Sequence, residues 1–188
     1  DSVDENLVGK RVAVEPSIPC GQCRWCTIGM ENVCPEGIFL GLPPKNGALC
    51  DYLIHPADRM ELLPDNISDA AGVMLEPLAI ALHAVNLADV GVDDRVVILG
   101  TGVIGTCVLE ILRLYRGLKV ICVDLQEDRL ERARQMGADR VIQPANPDDM
   151  EVGQEIKAAV GGYGADVVFE CSGSSAMLWN MCEVAGPG

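Results

Sequence analysis

The sequence predicts an α/β protein: a doubly wound parallel sheet, of which four strands are expected, preceded by part of a smaller β-rich domain with a cysteine-dense lobe. Three observations predict this. Four cysteines crowd into one stretch as Cys20-x-x-Cys23-x-x-Cys26, with Cys34 closing the group. From residue 95 onward, short apolar runs alternate with helical patterns. Where the first run ends, Gly100-x-Gly102-x-x-Gly105 stands between it and the next helix.

The elements follow in order. "VGKRVAVEP" reads as a strand, because Val12 and Val14 alternate with polar neighbours. The cysteine lobe comes next. "GLPPKNGALC" holds two prolines and Asn-Gly and reads as a turn. "LCDYLIHP" is a further strand candidate. Ser68 is placed to cap a short helix, and a longer one follows with Pro77 in its first turn and Gly91 past its end. A boundary is expected here, with residues 1–77 as one partial domain and 78–188 as the second. Arg95 to Leu99 is continuously apolar after its first residue, as in a strand covered on both faces. An apolar helix to about Tyr115, a strand Lys119–Val123, a third strand in "ADRVIQ", a helix around Met150–Val160, a fourth strand in "ADVVFECSG" and a helix in "SSAMLWNMCEVA" complete the alternation.

At 188 residues the chain suffices for one domain or one and a half. No apolar run reaches the roughly 18–20 residues that span a bilayer. The net charge of −14 argues against non-specific nucleic-acid binding, although a nest of backbone N–H groups can still hold a small anion. Nine cysteines, an odd number with four of them clustered, do not resemble a disulfide scaffold. Cys50, Cys107, Cys122, Cys171 and Cys182 sit singly in apolar surroundings, where free thiols are common. This cysteine usage leads to the expectation of a reducing, cytoplasmic location, and Asp1 to Glu5 is acidic where a secretory leader has a basic start.

Structural zinc takes four soft ligands in a tetrahedron. Each C-x-x-C turn aims two thiolates at one point, and Cys34 supplies the fourth corner. Gly21 and Gly29 allow the chain to curl. Disulfide pairing and a thioredoxin-like redox pair are the alternatives. The redox pair expects a single C-x-x-C opening a helix after a strand, whereas here three cysteines interlock behind Pro16 and Pro19. Four protein ligands close the site, so such a zinc is structural. Its formal charge of about −2 is one that Arg24 can partly offset.

The glycine pattern gains meaning from its context. It lies between a strand and a helix, with Asp124 at the end of the next strand. This is the Rossmann dinucleotide fingerprint. Gly100 permits the tight turn, Gly102 lets a pyrophosphate approach, and Gly105 lets helix and strand pack closely. Asp124 accepts hydrogen bonds from an adenosine ribose and repels a 2′-phosphate, which favours NAD over NADP. A glycine-rich turn in an α/β fold without a nucleotide is the alternative.

The order of cysteine lobe, "MLEPLAIALHAV" and glycine fingerprint resembles the zinc-containing medium-chain dehydrogenases, which include alcohol, sorbitol and threonine dehydrogenases. "GLPPKNGALCDYLIHPADRMELLPDN" is most similar to the sorbitol (polyol) branch. The resemblance implies a GroES-like domain, a Rossmann domain, and oxidation of a secondary alcohol by hydride transfer to NAD at a catalytic zinc. It implies structural-zinc ligands at Cys20, Cys23, Cys26 and Cys34. It implies pyrophosphate contacts at Gly100, Gly102, Ile104 and Gly105, and ribose contacts at Asp124 and Arg129. Glu76 matches an acid facing the catalytic zinc, as a ligand or through water and substrate. Read without the family, Glu76 is a dipole partner at a helix start. His55 and His83 are expected to be structural.

The resemblance also implies a catalytic cysteine and a Gly-His-Glu motif ahead of this segment. No cysteine precedes Cys20, and neither histidine is followed by glutamate. Two further strands are expected beyond Gly188. The chain is therefore expected to be an internal piece of a longer homo-oligomeric dehydrogenase. Alone it should hold structural zinc, bind the ADP-ribose part of NAD weakly and not turn over. Threonine or simple alcohol oxidation, or a non-catalytic zinc- and dinucleotide-binding module, are the rival readings.

Overall fold

Why the parallel sheet forms is visible in its central strand. In the computed structural model, which describes residues 5–145 and 151–187, β5 (Arg95–Leu99) carries four side chains with no solvent exposure, Val96, Val97, Ile98 and Leu99. A strand this apolar is stable only with helices on both faces. It is flanked in parallel by β6 (Lys119–Val123) and β8 (Val167–Glu170), and β7 (Arg140–Ile142) pairs with β6, giving the order β7-β6-β5-β8. The registers run Val97↔Ile121, Val97↔Val168 and Cys122↔Val141.

The pleat divides the core between the two faces. On one, Val97, Leu99, Ile121, Val123 and Ile142 pack with Val152 and Ile156 of α6 (Glu151–Ala159) and with Met177 and Val184 of α7 (Ser175–Val184). On the other, Ile98 faces α4 (Val103–Leu112), whose Val108, Leu109 and Leu112 are buried. Helix α5 (Glu127–Gln135) contributes Leu130 and Ala133. At the base of the sheet, Arg95 donates from Nε and an Nη to the two Asp166 oxygens at 2.8 and 2.9 Å, and its backbone N–H adds a third bond at 2.8 Å. That bidentate pair holds the Asp166 carboxyl down at about 2.

The described residues divide after Leu75 into two compact units. The sheet belongs to the second, together with α3 (Leu75–Leu87), which holds Glu76 and Pro77 in its first turn. In the first unit, β1 (Val12–Val14) pairs antiparallel with β4 (Met60–Leu62), and β2 (Ser17–Ile18) with β3 (Ile38–Phe39). Between β2 and β3 lies the single-turn α1 (Arg24–Thr27). Ser68 caps α2 (Asp69–Val73), its hydroxyl accepting from Ala71 N–H at 3.2 Å. Arg11 fastens this corner, bonding Asp69 at 3.1 Å and the Ile67 carbonyl.

The strand expected over residues 49–56 does not form, and β4 pairs with β1 instead. Leu49, Tyr52 and Ile54 are almost wholly exposed. Apolar alternation yields a strand only where a neighbour takes the backbone N–H and C=O groups. Among the described residues no strand lies beside this segment. The helix expected around Met150–Val160 starts at Glu151 in the described residues, and Met150 lies outside them.

Candidate metal centre and nucleotide cleft

The cysteine lobe is built by two reversals of the chain. Gly21 and Gly29 adopt φ of +73° and +80°, a region closed to most side chains. The curl brings the Sγ atoms of Cys20, Cys23, Cys26 and Cys34 within 4.8 Å of one another. Cys23 and Cys26 are 3.4 Å apart, Cys23 and Cys34 3.9 Å, and Cys20 and Cys26 4.0 Å. A disulfide needs about 2.05 Å. A tetrahedron with Zn–S near 2.3 Å has edges of about 3.8 Å, which these separations bracket. The donor set therefore fits a zinc ion.

The four sulfur donors lie close together in a half-buried lobe. Burial, then hydrogen bonding with Cys23, pushes the Cys26 thiol up to about 12. Two backbone N–H groups, of Cys20 and Cys23, point at the sulfurs of Cys34 and Cys20 at 3.4 Å. Arg24 stacks over the Trp25 ring, 5.5 Å from its centroid. Arg59 anchors the lobe from outside by an ion pair to Glu31 at 2.8 Å.

The second candidate site is a cleft of about 220 Å³ at the carboxyl ends of the sheet strands. Of the expected residues, Gly100, Gly102, Asp124 and Arg129 line it. Ile104 and Gly105 lie in the first turn of α4 and outside the lining. Gly100 has φ +89°, and a Cβ there would stand 2.7 Å from the backbone of Ser172. A Cβ on Gly105 would stand 1.9 Å from the Gly100 carbonyl oxygen, so only hydrogen fits between helix and turn. At Gly102 an added Cβ meets only an Arg129 nitrogen, at 3.9 Å. Gly102 also caps α4 without a side chain, and the first-turn N–H groups of a helix lack intrahelical acceptors.

Asp124 is buried at the cleft wall, 8% exposed. Its Oδ2 accepts from the Thr101 N–H at 2.7 Å and the Thr101 hydroxyl at 3.1 Å, and its Oδ1 from Gln126 N–H at 2.9 Å. Arg129 stands 3.6 Å from Oδ2. Burial by itself would raise the Asp124 carboxyl. The bonds from Gln126 and Thr101, then the Arg129 charge, outweigh it and hold the group below its ordinary value.

The sequence reasoning missed Thr101, Gln126 and the loop after β8, where Cys171, Ser172 and Ser174 also line the cleft. The Ser-Gly-Ser-Ser run directly behind a predicted strand was the available signal. In that loop Glu170 accepts from Ser172 N–H at 2.8 Å, from the Ser172 hydroxyl and from Gly173 N–H at 3.3 Å. Burial pushes the Cys171 thiol up to about 11.

Glu76 is exposed in the first turn of α3. Among the described residues, the four cysteines are the one group of three or more His, Cys, Asp or Glu side chains able to hold a metal, so Glu76 joins no such group. The ring of His55 bonds the Glu15 carbonyl through Nε2 at 2.9 Å, and His83 is exposed.

A four-thiol lobe in one unit and, in the other, a Rossmann sheet with this glycine turn define a zinc-type protein of the dinucleotide-binding class. Residues 1–65 match the family described as the alcohol dehydrogenase GroES-like domain, and residues 103–188 the family described as zinc-binding dehydrogenase. The chain belongs to the zinc-type medium-chain alcohol dehydrogenase family. Relatives include a sorbitol dehydrogenase of Arabidopsis thaliana, 39% identical over 92% of this chain and 48% of the relative. An L-idonate 5-dehydrogenase of Vitis vinifera is 38% identical over 90% and 47%. The chain thus spans about half the length of the curated relatives it matches. Among solved structures, an oxidoreductase of unknown specificity from Escherichia coli has a TM-score of 0.85 at 37% identity, over 95% of this chain and 51% of its own. An alcohol dehydrogenase from Escherichia coli CFT073 complexed with NADH has a TM-score of 0.88 at 29% identity, over 100% and 54%.

Proposed function

We propose that this chain is part of an NAD-dependent zinc dehydrogenase that oxidises a secondary alcohol of a polyol. The observation that carries the reading is the cleft, where the open N-terminus of α4, Gly102 and the partnered carboxylate of Asp124 converge. Gly100, Gly102, Ile104 and Gly105 form the pyrophosphate loop, in which Gly100 shapes the turn with its own N–H bonded to the Val123 carbonyl at 2.7 Å, and Asp124 and Arg129 receive the adenosine ribose. Cys20, Cys23, Cys26 and Cys34 hold a structural zinc, which supplies a cross-link for the lobe. Residues 1–77 form the GroES-like part and residues 78–188 the Rossmann part. Glu76 is proposed as the acid of the catalytic centre in the whole protein, a homo-oligomer of the cytoplasm acting on a small-molecule polyol or alcohol, without nucleic-acid or membrane partners. The described residues of this chain do not assemble a second metal site.

The test is NADH formation by the intact protein with a panel of sorbitol, xylitol, L-idonate, threonine and simple alcohols, alongside a zinc count. Two zinc ions per subunit with a polyol preference support the reading. Threonine or ethanol preference moves the substrate class. One zinc and no turnover favour a non-catalytic zinc- and dinucleotide-binding module.

A further inference from the structure

A carboxylate offers about four lone-pair positions. In Asp124 three are taken by this chain: two on Oδ2 by the N–H and hydroxyl of Thr101, and one on Oδ1 by Gln126 N–H. Among the described residues no donor takes the fourth, on Oδ1, and Asp124 lines the cleft. Thr101 is itself buried, 4% exposed, and its carbonyl accepts the Thr106 hydroxyl at 3.1 Å, so the turn cannot swing without breaking several bonds. A hydroxyl at this position is not required by the glycine turn, whose constraints fall on residues 100 and 105. Its bond to Asp124 is a separate feature of this sequence.

We propose that Thr101 is a positioning residue for cofactor selection: by filling Oδ2, it fixes the Asp124 carboxylate so that a single acceptor on Oδ1 meets one hydroxyl of the adenosine ribose. The proposal rests on the cleft being the dinucleotide site. It deepens that reading by assigning the preference for an unphosphorylated ribose to a pair, Thr101 and Asp124, and not to the acid alone. Arg129 makes the pair necessary. Its half-exposed guanidinium stands 3.6 Å from Oδ2 and could otherwise welcome a 2′-phosphate. With Oδ2 held beside it, the cation already faces an ordered anion. Without the Thr101 hydroxyl, the carboxylate turns more freely, the ribose bond weakens, and Arg129 is released towards a phosphate.

The test compares Thr101→Val, Thr101→Ala, Thr101→Ser and Asp124→Asn in the intact protein, with Kd measured for NADH and NADPH. Val and Ala differ in volume and share the missing hydroxyl, so either one decides if the other fails to fold. The expected result is a loss of NADH affinity of about tenfold in Val or Ala, as for one hydrogen bond to a charged group. NADPH affinity is expected to change less, and Ser to restore the original ratio. Loss of NADH binding on acidification should also begin at higher pH in Val and Ala, because the donors that keep Asp124 ionised are fewer. A merely structural role would weaken both cofactors equally, and that outcome overturns the proposal, as does no change in either. If Asp124→Asn leaves NADH binding intact, the dinucleotide reading of the cleft itself fails. If Asp124→Asn weakens binding and the Thr101 variants do not, the positioning role alone fails.

Discussion

The glycines of the turn look alike in sequence and differ in physics, and alanine at Gly105 and at Gly102 separates two of their roles. At Gly105 an added methyl would stand 1.9 Å from the Gly100 oxygen and 3.1 Å from Ile98 Cγ2. Relief requires α4 to move off the turn by more than about 1 Å, since C···O contacts settle near 3.3 Å. Helix propensity favours alanine by about 1 kcal/mol, and overpacking against rigid backbone costs about 3 kcal/mol or more. The net cost of about 2 kcal/mol or more lowers the melting temperature by roughly 8 °C for a unit of this size. At Gly102 the calculation reverses. Its φ of −69° suits any residue, and the added carbon meets only Arg129 at 3.9 Å. Loss of a favourable cap residue costs under about 1 kcal/mol. Gly102→Ala should therefore fold normally while losing dinucleotide affinity by tenfold or more, because its methyl occupies the path of the pyrophosphate. Differential scanning fluorimetry and NADH titration on the same samples give both numbers. A Gly102→Ala protein that binds NADH unchanged, or a Gly105→Ala protein with an unchanged melting temperature, refutes the reasoning.

Chelation of the reduced protein should release one zinc per chain from the lobe, with four additional thiols becoming alkylatable, counted by mass spectrometry; release without new alkylation contradicts the four-thiol assignment. Asp166→Asn should flatten stability against pH on the acid side. Its carboxyl lies at about 2 in the folded chain against 3.8 ordinarily, so its contribution is present above about 4 and is lost as pH falls towards 2. Acid unfolding curves of the two proteins should converge near pH 2 and separate above pH 4. Ser68→Ala should cost about 1 kcal/mol through the lost cap on α2, read in urea unfolding.

The sequence made the parallel sheet legible because each strand is a closed physical statement. Arg95–Leu99 is apolar on both faces, and only a covered sheet accommodates that. The metal lobe was legible for a different reason. All four thiols fall within fifteen residues, so local chain geometry nearly determines their convergence. The cleft was half legible. Gly100, Gly102 and Asp124 come from a pattern that repeats in sequence, whereas Thr101 enters through a side-chain bond spanning 23 residues and Ser172 through a loop whose position depends on strand order. Residues 49–56 were misread because their alternation describes a strand and says nothing of its neighbour.

The electrostatics of the cleft resolve an apparent conflict in the sequence. A chain with a net charge of −14 is a poor host for a pyrophosphate if charge is averaged over the surface. Screening removes most of that average beyond about 8–10 Å, so the nearest groups decide. Two carboxylates stand at the mouth of the sheet, Asp124 and Glu170. Glu170 is turned onto N–H and hydroxyl donors of its own loop, and Asp124 onto Gln126 N–H of its own loop and the N–H and hydroxyl of Thr101 in the glycine turn. Their charge orders the two turns that line the cleft, and Arg129 offsets what remains near Gly102. On the proposed dinucleotide reading, the acids that look repulsive in the sequence are the scaffold of an anion-binding rim. The same argument predicts which charge matters. Removing Arg129 should weaken NADH binding more than removing any of the exposed carboxylates of α5, such as Glu127 or Glu131, which already pair with Arg134 at 2.7 and 3.0 Å. Equal effects from all of these substitutions would mean that the overall field governs binding, and the rim would lose its explanatory role.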